Sequence, residues 1–77
     1  MVQLSDKWAR ILVSQPETGM GYQIASIVLR DGTRYNQVVI ESGVITRIRH
    51  YGKIPFKEED IADIIVTHDK WDFSRDR

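Results

Sequence analysis

The sequence of 77 residues suffices for one small domain, and its 42% apolar and 29% charged residues exclude a disordered chain. It contains no cysteine, which excludes disulfides, thiolate metal sites and a thiol nucleophile, and suits a reducing cytoplasm. Eleven cationic side chains balance eleven acidic ones, and the start MVQLSDKWARILVSQ lacks the long apolar run of a signal peptide or membrane span. We therefore expect a single cytoplasmic domain, residues 1–77, without membrane association.

The first predicted element is a helix over residues 4–14. Apolar residues recur at Leu4, Trp8, Ile11 and Leu12, which is helical spacing, and Ser5 followed by an acid suits a helix start. The run ARILVS, residues 9–14, is also compatible with a strand, and this alternative stays open. The following segment QPETGMG contains one proline and two glycines, and predicts a loop.

A β-hairpin is the clearest signal in the chain. Residues 22–30 and 33–41 are rich in β-branched side chains and flank Asp31-Gly32, a dipeptide typical of a type I′ turn. Strict alternation fails at Asn36-Gln37, which predicts a bulge or a sharp bend. Ser42-Gly43 predicts a second turn.

The second half of the chain predicts three further strands. Residues 44–51, VITRIRHY, form the third strand; residues 53–56, KIPF, form a short fourth strand at an edge, because Pro55 lacks an amide donor. KEED predicts a tight turn, and residues 61–67 predict the last strand. A short helix through Ile61, Ile64 and Ile65 is the alternative there.

These elements predict a mainly β fold: a small, bent, antiparallel SH3-like barrel of about five strands over residues 22–67, with an N-terminal helix. Residues 68–77 form a polar tail. We expect the core to consist mainly of Ile27, Leu29, Val38, Ile40, Val44, Ile48, Ile54, Phe56 and Ile64.

The order of elements resembles the Sm-like branch of the SH3-like barrels, at the level of pattern and over residues 22–67. The apolar strand before Asp31-Gly32 and the ending IPF…DI..I.V look like the first and last strands of that design. The chain has ESGVIT where Sm-like RNA binders carry an acidic-x-aromatic-x-Asn loop, and EEDIAD where they carry Arg-Gly. The resemblance therefore implies a fold and transfers no RNA-binding residue.

Two phrases, PETGMGYQ and IPFKEEDI, also resemble phrases of short uncharacterised bacterial proteins. This resemblance covers most of the chain and implies a bacterial source, but no activity comes with it.

No segment predicts catalysis, a metal or a cofactor. The GMG at residues 19–21 lacks the preceding strand, following helix and lysine of a phosphate loop, so a plain turn is the simpler interpretation. His50, His68 and Asp69 match no recurrent ligand spacing, and no activated nucleophile is present. The acidic run at residues 58–60 is typical of a solvated turn that caps the following element. We expect a protein that is not an enzyme.

Cations and a tyrosine suggest one candidate binding face. In a continuous strand, Arg47, Arg49 and Tyr51 share one side, and Arg30 and Arg34 beside the hairpin turn could extend it. Such a face could neutralise phosphates and stack a base, yet exposed arginines on a solvated strand are the simpler interpretation. Nucleic acid is therefore the less favoured partner.

The tail supplies the second candidate. Trp71 and Phe73 lie two residues apart among charges, so in an extended segment both project to one side. Residues 57–77 carry seven acids and four cations, whereas residues 30–53 carry five cations and two acids. We expect Trp71 to pack near Arg47 and Arg49, or against a second copy. The favoured function is a non-enzymatic interaction or adaptor module with a protein partner or self-association.

Overall fold

The computed structural model describes residues 1–73. Within this range the helix α1 spans Asp6–Val13, and five strands span β1 Val2–Gln3, β2 Gln23–Leu29, β3 Arg34–Glu41, β4 Val44–Ile48 and β5 Ile61–Val66. The strands form one antiparallel sheet in the order β1-β4-β3-β2-β5, curled into a half-barrel. The predicted mainly β fold with an N-terminal helix is confirmed. Of the predicted tail, residues 74–77 lie outside the described residues.

Helix α1 buries the apolar side chains that predicted it. Trp8 and Leu12, one helical turn apart, are buried in the core together with Leu4, which precedes the helix. The strand interpretation of residues 9–14 is therefore wrong. Ser5 occupies the N-cap position without a side-chain capping bond, and its backbone N–H donates to the Glu58 carboxylate. That bond connects the helix start to the 3₁₀ turn Glu58–Asp60.

The turn at Asp31-Gly32 differs in type from the one expected. The Gly32 N–H donates to the Leu29 carbonyl at 3.0 Å, and positive φ occurs at Gly32, 92°, but not at Asp31. A type I turn followed by glycine therefore closes this hairpin, and the predicted type I′ turn is wrong. The Asp31 carboxylate stabilises this geometry by accepting the Thr33 N–H at 2.9 Å. The type I′ turn lies at Ser42-Gly43, with φ of 52° and 76°.

Two bulges decide which side chains face the core. Opposite β2, the register moves from Ala25↔Val38 to Ile27↔Tyr35, so one β2 residue faces two β3 residues, and the predicted irregularity at 36–37 is confirmed. A second register shift follows between β3 and β4. Because it inserts one residue between Ile45 and Arg47, both Ile45 and Ile48 point into the core. Regular alternation from residue 44 to 51 is wrong.

The third and fourth predicted strands also differ from the structure. Strand β4 stops at Ile48, because the Tyr51 N–H donates to the Ile48 carbonyl at 3.1 Å and His50 adopts a positive φ of 73°. Residues 53–56 form no strand. The short edge strand is instead β1, which pairs Val2 with Ile45. The chain before the helix was too short to show an alternating pattern.

Strand β5 forms the other edge of the sheet and pairs with β2, so the helical alternative for this segment is wrong. Ile61 and Ile64 are buried, whereas Ile65 is 39% exposed. The Asp63 carboxylate accepts the backbone N–H of Ile64 at 2.8 Å. No helix within residues 1–73 is long and apolar enough to cross a membrane.

The core lies between the concave side of the sheet, helix α1 and the segment before β5. Seven of the nine predicted core residues are buried there; Ile54 is partly buried against them, and Val44 is half-buried outside the cluster. The Val44 prediction is wrong because the second bulge gives the core position to Ile45. The cluster also contains residues that were not predicted: Leu4, Trp8, Leu12, Ala25, Ile45 and Ile61.

Candidate interaction face

The outer side of the sheet is also covered. Ile24 on β2 and Val39 on β3 are cross-strand partners, and both are fully buried although neither belongs to the main core. An antiparallel sheet usually leaves one face to water. Burial on this second side therefore requires another part of the chain to lie over it.

The C-terminal tail lies over this outer side. The backbone N–H groups of Thr67 and His68 donate to the Ile24 carbonyl at 3.0 and 3.1 Å. The Gln37 side-chain amide then donates to the Asp69 carbonyl at 3.1 Å. At the far end, the Arg47 guanidinium donates to the Phe73 carbonyl at 2.6 Å. The tail therefore crosses β2, β3 and β4 in turn, held by its backbone.

Each of the two tail aromatics contacts one of the two arginines near which Trp71 was expected to pack. The Arg49 guanidinium carbon lies 5.9 Å from the Trp71 ring centre, and the Arg47 carbon lies 5.6 Å from that of Phe73. Both distances are within the range of cation–π attraction. The expected packing of Trp71 near Arg47 and Arg49 is confirmed. Tyr22, Ile24, Gln37, Arg47 and Arg49 together form the tail-binding face.

The loop before β2 supplies the remaining aromatic contact. Tyr22 meets Phe73 edge to face, with ring centres 4.9 Å apart, and Phe73 lies 5.6 Å from Trp71. A Cβ atom on Gly19 would lie 2.4 Å from the Tyr22 ring, so only glycine leaves room for this ring position. The GMG segment is thus a turn that places Tyr22, as its simpler interpretation predicted.

Polar side chains of this loop and of the first residue of β2 connect the loop to the helix and to the tail. The Gln23 amide is buried and donates to the Leu12 carbonyl at 2.9 Å, at the end of α1. The Thr18 hydroxyl accepts the Ile24 N–H at 2.8 Å and lies 2.6 Å from His68 Nδ1. The phrase PETGMGYQ therefore has a structural role beside the tail-binding face.

The five residues of the predicted Arg/Tyr face do not lie together. Arg47 and Arg49 lie under the tail, while Arg34 bonds the Asn36 side chain at the first bulge, 3.0 Å away. Arg30 donates to the Glu59 carbonyl at 2.8 Å, beside the 3₁₀ turn. Tyr51 follows the turn at His50 and packs on Tyr35 at 5.3 Å. Because β4 ends at Ile48, Tyr51 does not continue the strand face that was predicted to carry the two arginines.

A cleft that the sequence did not predict opens beside Tyr51. It has a volume of about 570 Å³ and lies between β1, β4 and residues 51–58. Lys53, Ile54, Phe56 and Lys57 contribute to its walls. The only sequence signal for it was the KIPF segment, which was interpreted as a strand.

The residues weighed for metal or acid–base chemistry are not grouped. No cluster of three or more metal-ligating side chains occurs within residues 1–73. His68 bonds Thr18, and Asp60 accepts the Lys57 N–H at 2.9 Å, which closes the 3₁₀ turn as its acidic run predicted. Asp31 has a pKa below its ordinary value, because the backbone and side chain of Thr33 donate hydrogen bonds to its carboxylate.

Comparison with known proteins assigns no family to this geometry. No protein-family model matches the chain, and no curated protein or solved structure matches it. The resemblances to Sm-like barrels and to short bacterial proteins therefore stay predictions.

Proposed function

We propose that this chain is a non-enzymatic interaction module whose tail-binding face receives an extended, acidic and aromatic protein segment. The observation that carries this proposal is the position of the chain's own tail, which occupies the face within one molecule. A partner with a similar segment would compete for the same contacts. We also propose an SH3-like barrel and a cytoplasmic location; the bent β2–β3 hairpin with β5 beside β2, and the absence of cysteine, support them.

The contacts define what the face can recognise. Gln37 and Arg47 bond tail carbonyls, which every extended peptide offers. Arg47 and Arg49 add selectivity, because a guanidinium prefers aromatic rings and acidic neighbours to aliphatic ones. The tail sequence DKWDF, residues 69–73, combines both properties.

One group in the docked tail has no hydrogen-bond partner. The Trp71 indole N–H is buried and has no acceptor within residues 1–73. A buried donor without an acceptor costs about 1–3 kcal/mol. The tail therefore binds its own face less tightly than a segment that offers an acceptor there, which favours exchange with a partner.

The rival function, nucleic-acid binding by Arg47, Arg49 and Tyr51, is less favoured on this face. The tail contacts both arginines, and Tyr51 lies in the cleft beyond the turn at His50. A nucleic acid that bound both arginines would have to displace the tail.

A peptide added in trans tests the proposed function. We would use the full chain with Trp71→Ala and Phe73→Ala, which removes no side chain of the main core but weakens the internal tail, and a fluorescein-labelled peptide of residues 68–77. Fluorescence anisotropy should show saturable binding to this variant and weaker binding to the wild type, where the internal tail competes.

Matched controls identify the contacts. Adding Arg47→Ser and Arg49→Ser to the variant should abolish binding, whereas Arg10→Ser, which removes one positive charge from helix α1, should not. A peptide in which both aromatics are alanine should also fail to bind. Equal binding of the two peptides, or no binding to the tail-weakened variant, would refute the proposal.

A further inference from the structure

The cleft beside Tyr51 borders the tail-binding face at Arg47, which belongs to both, and it combines aromatic and cationic groups. Tyr51, Tyr35 and Phe56 form a row of rings with successive centre distances of 5.3 Å. The inner ring, Phe56, belongs to the core, and the outer ring, Tyr51, is 50% exposed. The row therefore anchors an exposed aromatic ring on a rigid base.

The geometry of the outer pair leaves a ring surface available. Tyr51 and Tyr35 meet at an interplanar angle of 75°, which is an edge-to-face contact. In such a contact Tyr35 can cover at most one of the two faces of Tyr51. A planar ligand can thus stack on Tyr51 without displacing Tyr35.

The charges around the cleft favour an anion. Lys53 and Lys57 line the cleft with exposed side chains, and neither forms an ion pair within residues 1–73. Arg47 also contributes to the wall. The acid among the lining residues is Glu58, whose carboxylate already accepts the Ser5 N–H. A ligand with a negative group would therefore meet two available ammonium groups.

From these observations we propose that the cleft binds a nucleotide unit, with its base stacked on Tyr51 and its phosphate held by Lys53 and Lys57. An aromatic ring with flanking cations is the combination that single-stranded nucleic acids require, and it is tolerant of sequence. The unit could come from a free nucleotide or from a single-stranded nucleic acid, since both offer a base and a phosphate. The cleft shares Arg47 with the tail-binding face, but the residues proposed to hold the ligand, Tyr51, Lys53 and Lys57, make none of the contacts that hold the tail.

Titration of the ¹⁵N-labelled full chain, followed by NMR, tests the site. One arm uses UMP and the other uses an oligouridylate of eight residues. Amide shifts should move at residues 51–57 and stay unchanged at residues 68–73. If UMP binds and the oligomer does not, the ligand of the cleft is a free nucleotide. If the oligomer binds much more tightly than UMP, the ligand is a single-stranded nucleic acid.

Variants separate stacking from charge. Tyr51→Ala should weaken binding about tenfold or more, and Tyr51→Phe should retain it, because stacking needs the ring and not the hydroxyl. The double variant Lys53→Glu/Lys57→Glu leaves the core intact and should abolish binding, whereas Arg10→Ser should not. For the oligomer, the logarithm of the binding constant should fall with the logarithm of the salt concentration. The slope of this fall should be steeper for the wild type than for Lys53→Ser/Lys57→Ser by about 1.4, because two phosphate contacts are lost.

Three results would overturn the proposal. The first is equal binding of polyphosphate, which has charge but no base. The second is binding that is insensitive to both Tyr51→Ala and the lysine reversals. The third is occupation of the cleft by the peptide of residues 68–77 in preference to either nucleotide ligand, which would make it a protein-binding cleft.

Discussion

Gln37 and Arg49 are joined by two hydrogen bonds, one from backbone to backbone and one between their side chains. The Arg49 N–H donates to the Gln37 carbonyl at 3.2 Å, and the guanidinium donates to the Gln37 amide oxygen at 3.0 Å. The amide nitrogen of the same side chain bonds the tail at Asp69. Gln37, a residue of the first bulge with a φ of 52°, thus connects the sheet, Arg49 and the tail.

The first prediction is that Gln37→Gly releases the tail. Glycine suits the positive φ, so the variant removes the side chain without adding backbone strain. The free energy of unfolding should change by no more than about 1–2 kcal/mol, while Trp71 becomes exposed. Trp71 emission, recorded in a Trp8→Phe background, should shift to the red and be quenched more readily by acrylamide.

The matched control for this variant is Gln3→Ala, which removes an exposed glutamine from β1. It should leave both emission and quenching unchanged. Unchanged Trp71 fluorescence in Gln37→Gly would show that the tail is held without this side chain.

The second prediction concerns the hairpin turn at Gly32. Its φ is 92°, and among the described residues nothing would lie within 4 Å of an added Cβ. The cost of substitution is therefore a backbone cost. Gly32→Val should lower the free energy of unfolding by about 1–3 kcal/mol, and Gly32→Asn by much less, since asparagine tolerates this region. Chemical denaturation measures both, and equal values would contradict the positive φ.

The third prediction tests the second bulge. Ile48 is 3% exposed, so Ile48→Ala should cost about 2–4 kcal/mol, whereas Val44→Ala at a half-buried position should cost about 1 kcal/mol or less. Equilibrium unfolding in urea distinguishes the two. A larger loss of stability for Val44→Ala than for Ile48→Ala would show that β4 alternates regularly and has no bulge.

The fourth prediction concerns acid stability. The hydrogen bonds from Thr33 lower the pKa of Asp31 from 3.8 in the folded chain, so its charged form stabilises the fold above that value. This contribution is lost as the pH falls through the lowered pKa. Asp31→Asn removes it, and the stability difference from wild type should shrink below about pH 4. A difference that stays constant from neutral pH to pH 2 would contradict the prediction.

The elements that depend on local pattern were predictable from the sequence. The helical spacing of Trp8 and Leu12, the glycines of the two turns and the bulge at residues 36–37 follow from local chemistry. The contact of Trp71 with the arginines was also predictable, because two aromatics among acids need a partner surface with cations.

Features set by long-range pairing were not predictable. The bulge between Ile45 and Arg47 is a feature of the pairing of β4 with β3, so nothing in VITRIRHY alone reveals it. The pairing of β1 has the same origin, since two residues form a strand only beside an existing edge. The cleft at Tyr51 was not predictable either, because residues 53–56 pack towards the core without pairing as a strand.

The bond from Ile64 to the Asp63 carboxylate has a consequence for solubility. Strand β5 is a sheet edge with the apolar sequence IADIIV, the kind of segment that stacks with copies of itself into fibrils. Asp63 occupies one backbone donor of that edge with its own side chain and places a charge beside it. Asp63→Ala should therefore leave the fold intact but promote thioflavin-positive aggregation in concentrated samples. The Asp63 carboxylate alone would then protect this chain from aggregation at high concentration.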